Sequence, residues 1–137
     1  MTDLERAKNN LVGHTIALCK GNTVLTSDKR GISPMMDFIA DGTNLSGYSV
    51  ADLIVGRAAA MLFVKAGIKN VYAKTMSRGG KAVLEQYGIA YGYGELTDAI
   101  INRLGTDICP MEKAVANAQT PDEAYICIKQ QLELLKA

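Results

Sequence analysis

Tryptophan is absent from the chain, histidine occurs once, and cysteine and proline occur three times each. Each scarcity excludes something. Cys19, Cys109 and Cys127 are too few and too scattered for a disulfide framework, so reduced thiols are the default. The single histidine, His14, lies far along the chain from Cys109, and there is no C-x-x-C pair. A zinc site needs several Cys, His or carboxylate ligands at workable spacing, so neither a metal nor another cofactor is expected. Charge of one sign is not in excess: 15 basic and 14 acidic residues leave a net charge of +1, with no charged block. Nothing therefore points to a nucleic-acid groove or an anionic membrane. The opening MTDLERAKNN is polar and lacks the basic-then-apolar layout of a secretion signal, which makes a cytoplasmic protein the expectation. With 137 residues the chain is long enough to bury a core as one domain, residues 1–137.

The most apolar stretch is Ser49–Gly67, SVADLIVGRAAAMLFVKAG. It reads as one helix, with Ser49 as N-cap, Asp52 three positions on, and Gly67 closing it in the left-handed conformation. Within it only Asp52, Arg57 and Lys65 are charged. A helix apolar on nearly every side is buried, and this one is too short and too interrupted to span a membrane. The expectation is a central helix packed on a sheet.

Around it the signals are local. Thr2-Asp3-Leu4-Glu5 is a capping-box pattern, and Leu4, Ala7 and Leu11 continue a first helix that ends near Gly13. His14–Lys20 and Thr23–Ser27 flank Gly21-Asn22, a hairpin signature. Ser33-Pro34 opens a short helix through Ala40, with Met35, Phe38 and Ile39 inward. Asn70–Met76 reads as a strand, Lys81–Tyr87 as a helix, and Ile89–Tyr93 as a second strand, with parallel pairing through right-handed crossovers. Thr97–Leu104 reads as a short helix ending at Gly105, and Pro110 as the start of another to about Ala118. The last helix has Thr120 as cap, Pro121 first and Glu123 third, with Ala124, Ile128, Leu132 and Leu135 inward. The fold class is α/β, α-β-α layered: a mixed sheet with a β-hairpin followed by β-α-β units.

Candidate chemistry is sparse. Cys109, before Pro110 and three residues from Glu112, sits at a helix start, where unpaired N–H groups favour a thiolate; it is either a nucleophile or redox thiol, or a small buried residue. Ser77-Arg78-Gly79-Gly80 follows a strand and opens a helix. That arrangement presents backbone N–H groups to an anion with Arg78 beside them, or is a plain turn. Asp52 is either a pocket acid or a helix-capping one. Arg57 calls for an anion, whether a ligand or a structural partner such as Asp52 or Glu112. Arg103 either complements a helix C-terminus or stands beside Cys109.

The element order is that of the cytidine-deaminase-like fold. Two segments, VADLIVGRAAAMLFVKAG at 50–67 and IINRLGTDICPMEKAV at 100–115, resemble a small prokaryotic family described as a domain of unknown function, over most of the chain from about Leu4. Zinc deaminases carry H-x-E or C-x-E at one helix start and P-C-x-x-C at the next. The chain reads Val50-Ala51-Asp52-Leu53 and Met76-Ser77-Arg78-Gly79-Gly80 instead, so hydrolytic deamination through a zinc-bound hydroxide is not expected. The resemblance implies that both helix starts open into one pocket, lined by Asp52 and Ser77–Gly80, with Arg103 and Cys109 reaching in. It also implies assembly into a homo-oligomer through helix faces.

Three functions follow as expectations. The first is a metal-free domain holding a small anionic ligand, such as a nucleotide or nucleoside derivative, on Asp52, Ser77, Arg78, Gly79, Gly80 and Arg103. The second is an enzyme with Cys109 as nucleophile, Glu112 or Asp52 handling protons, and Arg103 steadying an oxyanion. The third is a homo-oligomeric interaction protein without a ligand.

Overall fold

The computed structural model of the protein describes residues 1–102 and 104–136. Helix α1 (Asp3–Asn10) begins where the capping box places it. Thr2 Oγ1 accepts from the Glu5 amide at 3.0 Å, and the Thr2 amide donates back to Glu5 Oε2 at 3.3 Å. Strands β1 (Ile16–Lys20) and β2 (Thr23–Ser27) pair antiparallel around Gly21, whose φ of +57° is the left-handed value that a two-residue hairpin turn requires. Helix α2 (Ser33–Ala40) leads to β3 (Ser49–Val55), which runs antiparallel to β1. Strands β4 (Asn70–Ser77) and β5 (Ala90–Thr97) then add in parallel, separated by helices α3 (Arg57–Ala66) and α4 (Arg78–Gln86). Helices α5 (Pro110–Val115) and α6 (Pro121–Lys136) follow. The five-stranded mixed sheet has the order β2-β1-β3-β4-β5.

Helices cover both faces. On one, Ala7 of α1 and Leu11, its C-cap, pack on Cys19 and Ala51, with Leu53 and Tyr72 at the margin. On the other, the larger core joins Ile16, Leu18, Val50 and Val71 of the sheet to Met35, Met61, Leu62, Phe63, Leu84 and Ile128 of the helices. No described helix is long and apolar enough to cross a membrane.

The continuous helix expected over Ser49–Gly67 is two elements. Residues Ser49–Val55 form the central strand β3, Gly56 is the turn, and only Arg57–Ala66 is helical. A parallel strand covered on both faces is apolar in succession, not alternately, and so imitates a buried helix. The β-branched Val50, Ile54 and Val55 lie before Gly56, and the strong helix formers Ala58, Ala59, Ala60, Met61 and Leu62 lie after it. Ser49 is therefore a strand residue, not a cap, whereas Gly67 does close α3 with φ +77°.

Facing is not uniform along the parallel strands. Val50 and Val55 both enter the larger core, as do Ala73 and Met76, although the members of each pair are an odd number of positions apart. The slip falls at Leu53, Lys74 and Gly94, one row across the sheet where the regular residue pairing is interrupted. Gly94 fits there because a Cβ would stand 2.9 Å from the Lys74 carbonyl oxygen.

The helix expected over Thr97–Leu104 does not form among the described residues. Strand β5 runs on to Thr97, and the described residues from Asp98 to Pro110 hold no helix before α5; Ile101 instead bridges antiparallel to Ile108. In α6, Ala124 and Ile128 are buried and Leu132 half-buried, but Leu135 is exposed.

Candidate functional site

The starts of α3 and α4 meet at the carboxyl ends of β3 and β4, where ligands of open parallel sheets bind; of the two, the sequence singles out only that of α4. Ser77 ends β4 and caps α4: its buried hydroxyl accepts from the Gly80 amide at 3.0 Å. Gly80 has no room for a side chain, since a Cβ would lie 2.9 Å from the Val55 carbonyl oxygen and 3.0 Å from Gly56. Its absence lets the first turn of α4 seat directly on the turn between β3 and α3. A Cβ on Gly79 would stand 3.7 Å from Arg57 Cβ.

Helix α3 has no side chain of its own to cap it, because Gly56 is the N-cap. A remote residue does this. Glu112, third in α5, reaches back so that its Oε1 accepts from the Arg57 amide at 2.7 Å and its Oε2 from the Ala58 amide at 2.8 Å. Both carboxylate oxygens thus meet first-turn donors at the positive end of the helix dipole. A Cβ on Gly56 would overlap this carboxylate and stand 2.8 Å from Ile100 Cγ1. The Arg57 guanidinium finds neither Asp52 nor Glu112: its Nε donates to the Val115 carbonyl at 3.1 Å and its Nη2 to the Ala118 carbonyl at 2.5 Å. It ties down the carbonyl end of α5, so backbone and side chain of one residue hold opposite ends of that short helix.

The other candidates are placed as follows. Arg78, the first residue of α4, is exposed and pairs with exposed Asp98, Nε to Oδ1 at 2.8 Å. Cys109 caps α5 through its backbone, half-buried, with its carbonyl accepting from the Glu112 and Lys113 amides at 3.0 and 3.1 Å. Glu112 is engaged on α3, so the structure gives Cys109 no proton-handling partner in it. Arg103 lies outside the described residues. Asp52 is not at a helix start: it is interior to β3, opposite Ile16 and Ala73, and only 7% exposed. Burial pushes its carboxyl up to about 8, against the pull of the Ile54 and Leu53 backbone N–H groups, so at neutral pH it is largely an uncharged acid. No cluster of three or more His, Cys, Asp or Glu side chains occurs among the described residues.

A family model described as Domain of unknown function (DUF1893) matches residues 7–132. The chain belongs to that family. No curated protein matches the chain. Among solved structures, a crystal structure of a DUF1893 family protein from Thermotoga maritima is similar over 98% of this chain and 91% of that one, with a TM-score of 0.82 and 25% identity.

The structure brings Ser77, Gly79, Gly80 and Glu112 of this DUF1893 chain around the turn at Gly56-Arg57. It leaves Asp52 inside the sheet and turns Arg78 to the rim. Sequence reasoning misses Gly56 and Ile100 altogether. The available signal for Gly56 is the change from β-branched residues to alanines on either side of it; for Ile100 there is none, since its role depends on where the segment before α5 docks.

Proposed function

We propose that this DUF1893 chain is a metal-free binding domain of deaminase-like architecture. Its ligand is a small anion of the nucleotide or nucleoside-derivative class, held at the start of α4. The observation that carries the reading is the contrast between the two adjacent helix starts. That of α3 is closed by Glu112, whereas no side chain among the described residues accepts from the Gly79 amide in the first turn of α4. Arg78 stands next to it, with its guanidinium engaged only by an exposed carboxylate, a pairing worth little in water and readily exchanged for a ligand anion. Ser77 and Gly80 fix the turn, and Glu112 serves as an internal anion that sets the geometry of α3. The deaminase-like part of the reading draws support from the element order and the mixed sheet. Asp52, neutral and inside β3, has no role in holding the ligand.

A thermal-shift screen against nucleotides, nucleosides, sugar phosphates and inorganic anions tests this. A true ligand at ~100 times its Kd adds roughly 2.7 kcal/mol of apparent stability. Arg78→Ala should remove that gain while leaving the ligand-free midpoint unchanged. No hit across the panel, or a hit indifferent to Arg78→Ala, overturns the reading.

A further inference from the structure

Strand β5 ends the sheet, and its outer edge is bare. Beyond the ladder with β4, no backbone group of residues 90–97 is hydrogen-bonded to any other described part of the chain. Proteins normally shorten such an edge, charge it, place proline in it or cover it. The opposite edge, β2, obeys: it has five residues. Strand β5 has eight, with no proline, no lysine, and Glu95 as its one charge.

Gly92 is the second observation. Its φ is not in the left-handed range, and a Cβ there would meet nothing within 4 Å, so no requirement of the chain itself calls for glycine. Glycine inside a strand without such a reason marks the close approach of another backbone. The segment around it, Ala90-Tyr91-Gly92-Tyr93-Gly94, also reads nearly the same in both directions. Tyr91 and Tyr93 share one face, their rings 6.4 Å apart and within 9° of parallel, and the small residues share the other.

We infer that β5 pairs antiparallel with β5 of a second copy about a two-fold axis through Gly92, joining two sheets into one of ten strands. The axis sets Gly92 against Gly92, Tyr91 against Tyr93, and Ala90 against Gly94. Aromatic rings then stack on rings across the junction, and small residues meet small ones. Glu95 falls opposite position 89 of the second copy, so the strand's single charge never meets itself. The contact is isologous and closes at two subunits. It uses the sheet edge instead of helix faces, and it is independent of the anion site.

Sedimentation equilibrium tests it. The wild-type chain should be a dimer at micromolar concentration. Gly92→Glu has room in the single chain but sets two carboxylates against each other across the axis; it should weaken association at least about tenfold with an unchanged circular-dichroism spectrum. Gly92→Cys should form a covalent dimer on mild oxidation that wild type under the same conditions does not, and this arm decides the matter if Gly92→Glu fails to fold. A monomeric wild type, a dimer indifferent to Gly92→Glu, or no extra cross-link from Gly92→Cys overturns the inference.

Discussion

Asp52 makes stability fall as pH rises through the neutral range, and Asp52→Asn should abolish that fall. In the unfolded chain an aspartate titrates near ~3.9. In the fold, burial between Ile16 and Ala73 moves Asp52 up to about 8. Between those values the folded state holds a proton that the unfolded state has released. The stability it contributes is complete below about pH 4 and is lost progressively as pH rises towards about 8. One pH unit is worth about 1.4 kcal/mol, so the loss between pH 5 and 8 is at most roughly 4 kcal/mol. The other resolved shifts act elsewhere. Asp107 is lowered by Lys113 and titrates below that window, while Cys19, Lys29 and Tyr91 are raised from values already above it. Asparagine has nearly the same shape and stays uncharged. Urea unfolding from pH 5 to pH 9 should show wild type losing several kcal/mol more than Asp52→Asn, with the variant the more stable at pH 8. Parallel curves for the two proteins would refute the assignment and place a solvated, ordinary carboxylate at position 52.

Substitutions at three positions examine how the site and its surroundings are built. Glu112→Ala removes both acceptors from the first turn of α3 and should cost about 2–4 kcal/mol in urea unfolding, whereas Glu112→Gln, which keeps one acceptor, should cost about half as much; equal, negligible losses would mean that Glu112 does not cap α3. Gly80→Ala pushes a methyl group against the backbone at Val55 and Gly56, neither of which can swing aside, and should cost about 1–3 kcal/mol. Gly92→Ala, into open space, should leave monomer stability equal or raise it slightly, by up to ~1 kcal/mol, through the unfolded chain; if both alanines behave alike, the close seating of α4 on the β3 turn is wrong.

What could be read from the sequence depended on whether a signal was local. Helix α1, the hairpin and α6 each carry their own start marks. The last of these is confirmed at Thr120, whose hydroxyl accepts from the Glu123 amide at 3.1 Å, and at Glu123, which accepts from the Gln119 amide at 2.8 Å. Strand β4, with its outward Lys74 and inward Val71 and Ala73, shows enough alternation to be seen. Strand β3 does not, because both of its faces are covered from Ser49 to Asp52 and its only charged residue, Asp52, is held uncharged by the same burial. The pattern that usually marks a strand had been erased by its central position. In the sequence, strand β5 reads as ending at Tyr93, before Gly94. In the sheet it is the place where facing slips so that Leu96 can continue inward.

The site follows the same logic more severely. Ser77, Gly79 and Gly80 could be named because they are contiguous and sit at a strand-to-helix turn. Glu112 could be named only for its place beside Cys109, and its partner turned out to be the main chain of residues 55 and 54 positions earlier. The cause lies in α3 itself. A buried helix must satisfy its first amides, and Gly56 offers no side chain to do so, because the room a side chain would need is taken by Ile100 and by the carboxylate. The glycine and the distant glutamate are two halves of one solution: either alone would leave an unsatisfied buried end or a steric overlap. Arg57 completes it by holding the carbonyl end of α5, which fixes the helix that carries Glu112. Closure of the α3 end therefore waits on the docking of the segment after β5. The open end of α4 beside it depends only on Ser77 and Gly80, which are next to it in sequence. On the proposed reading, that difference is what leaves the α4 end to an outside anion.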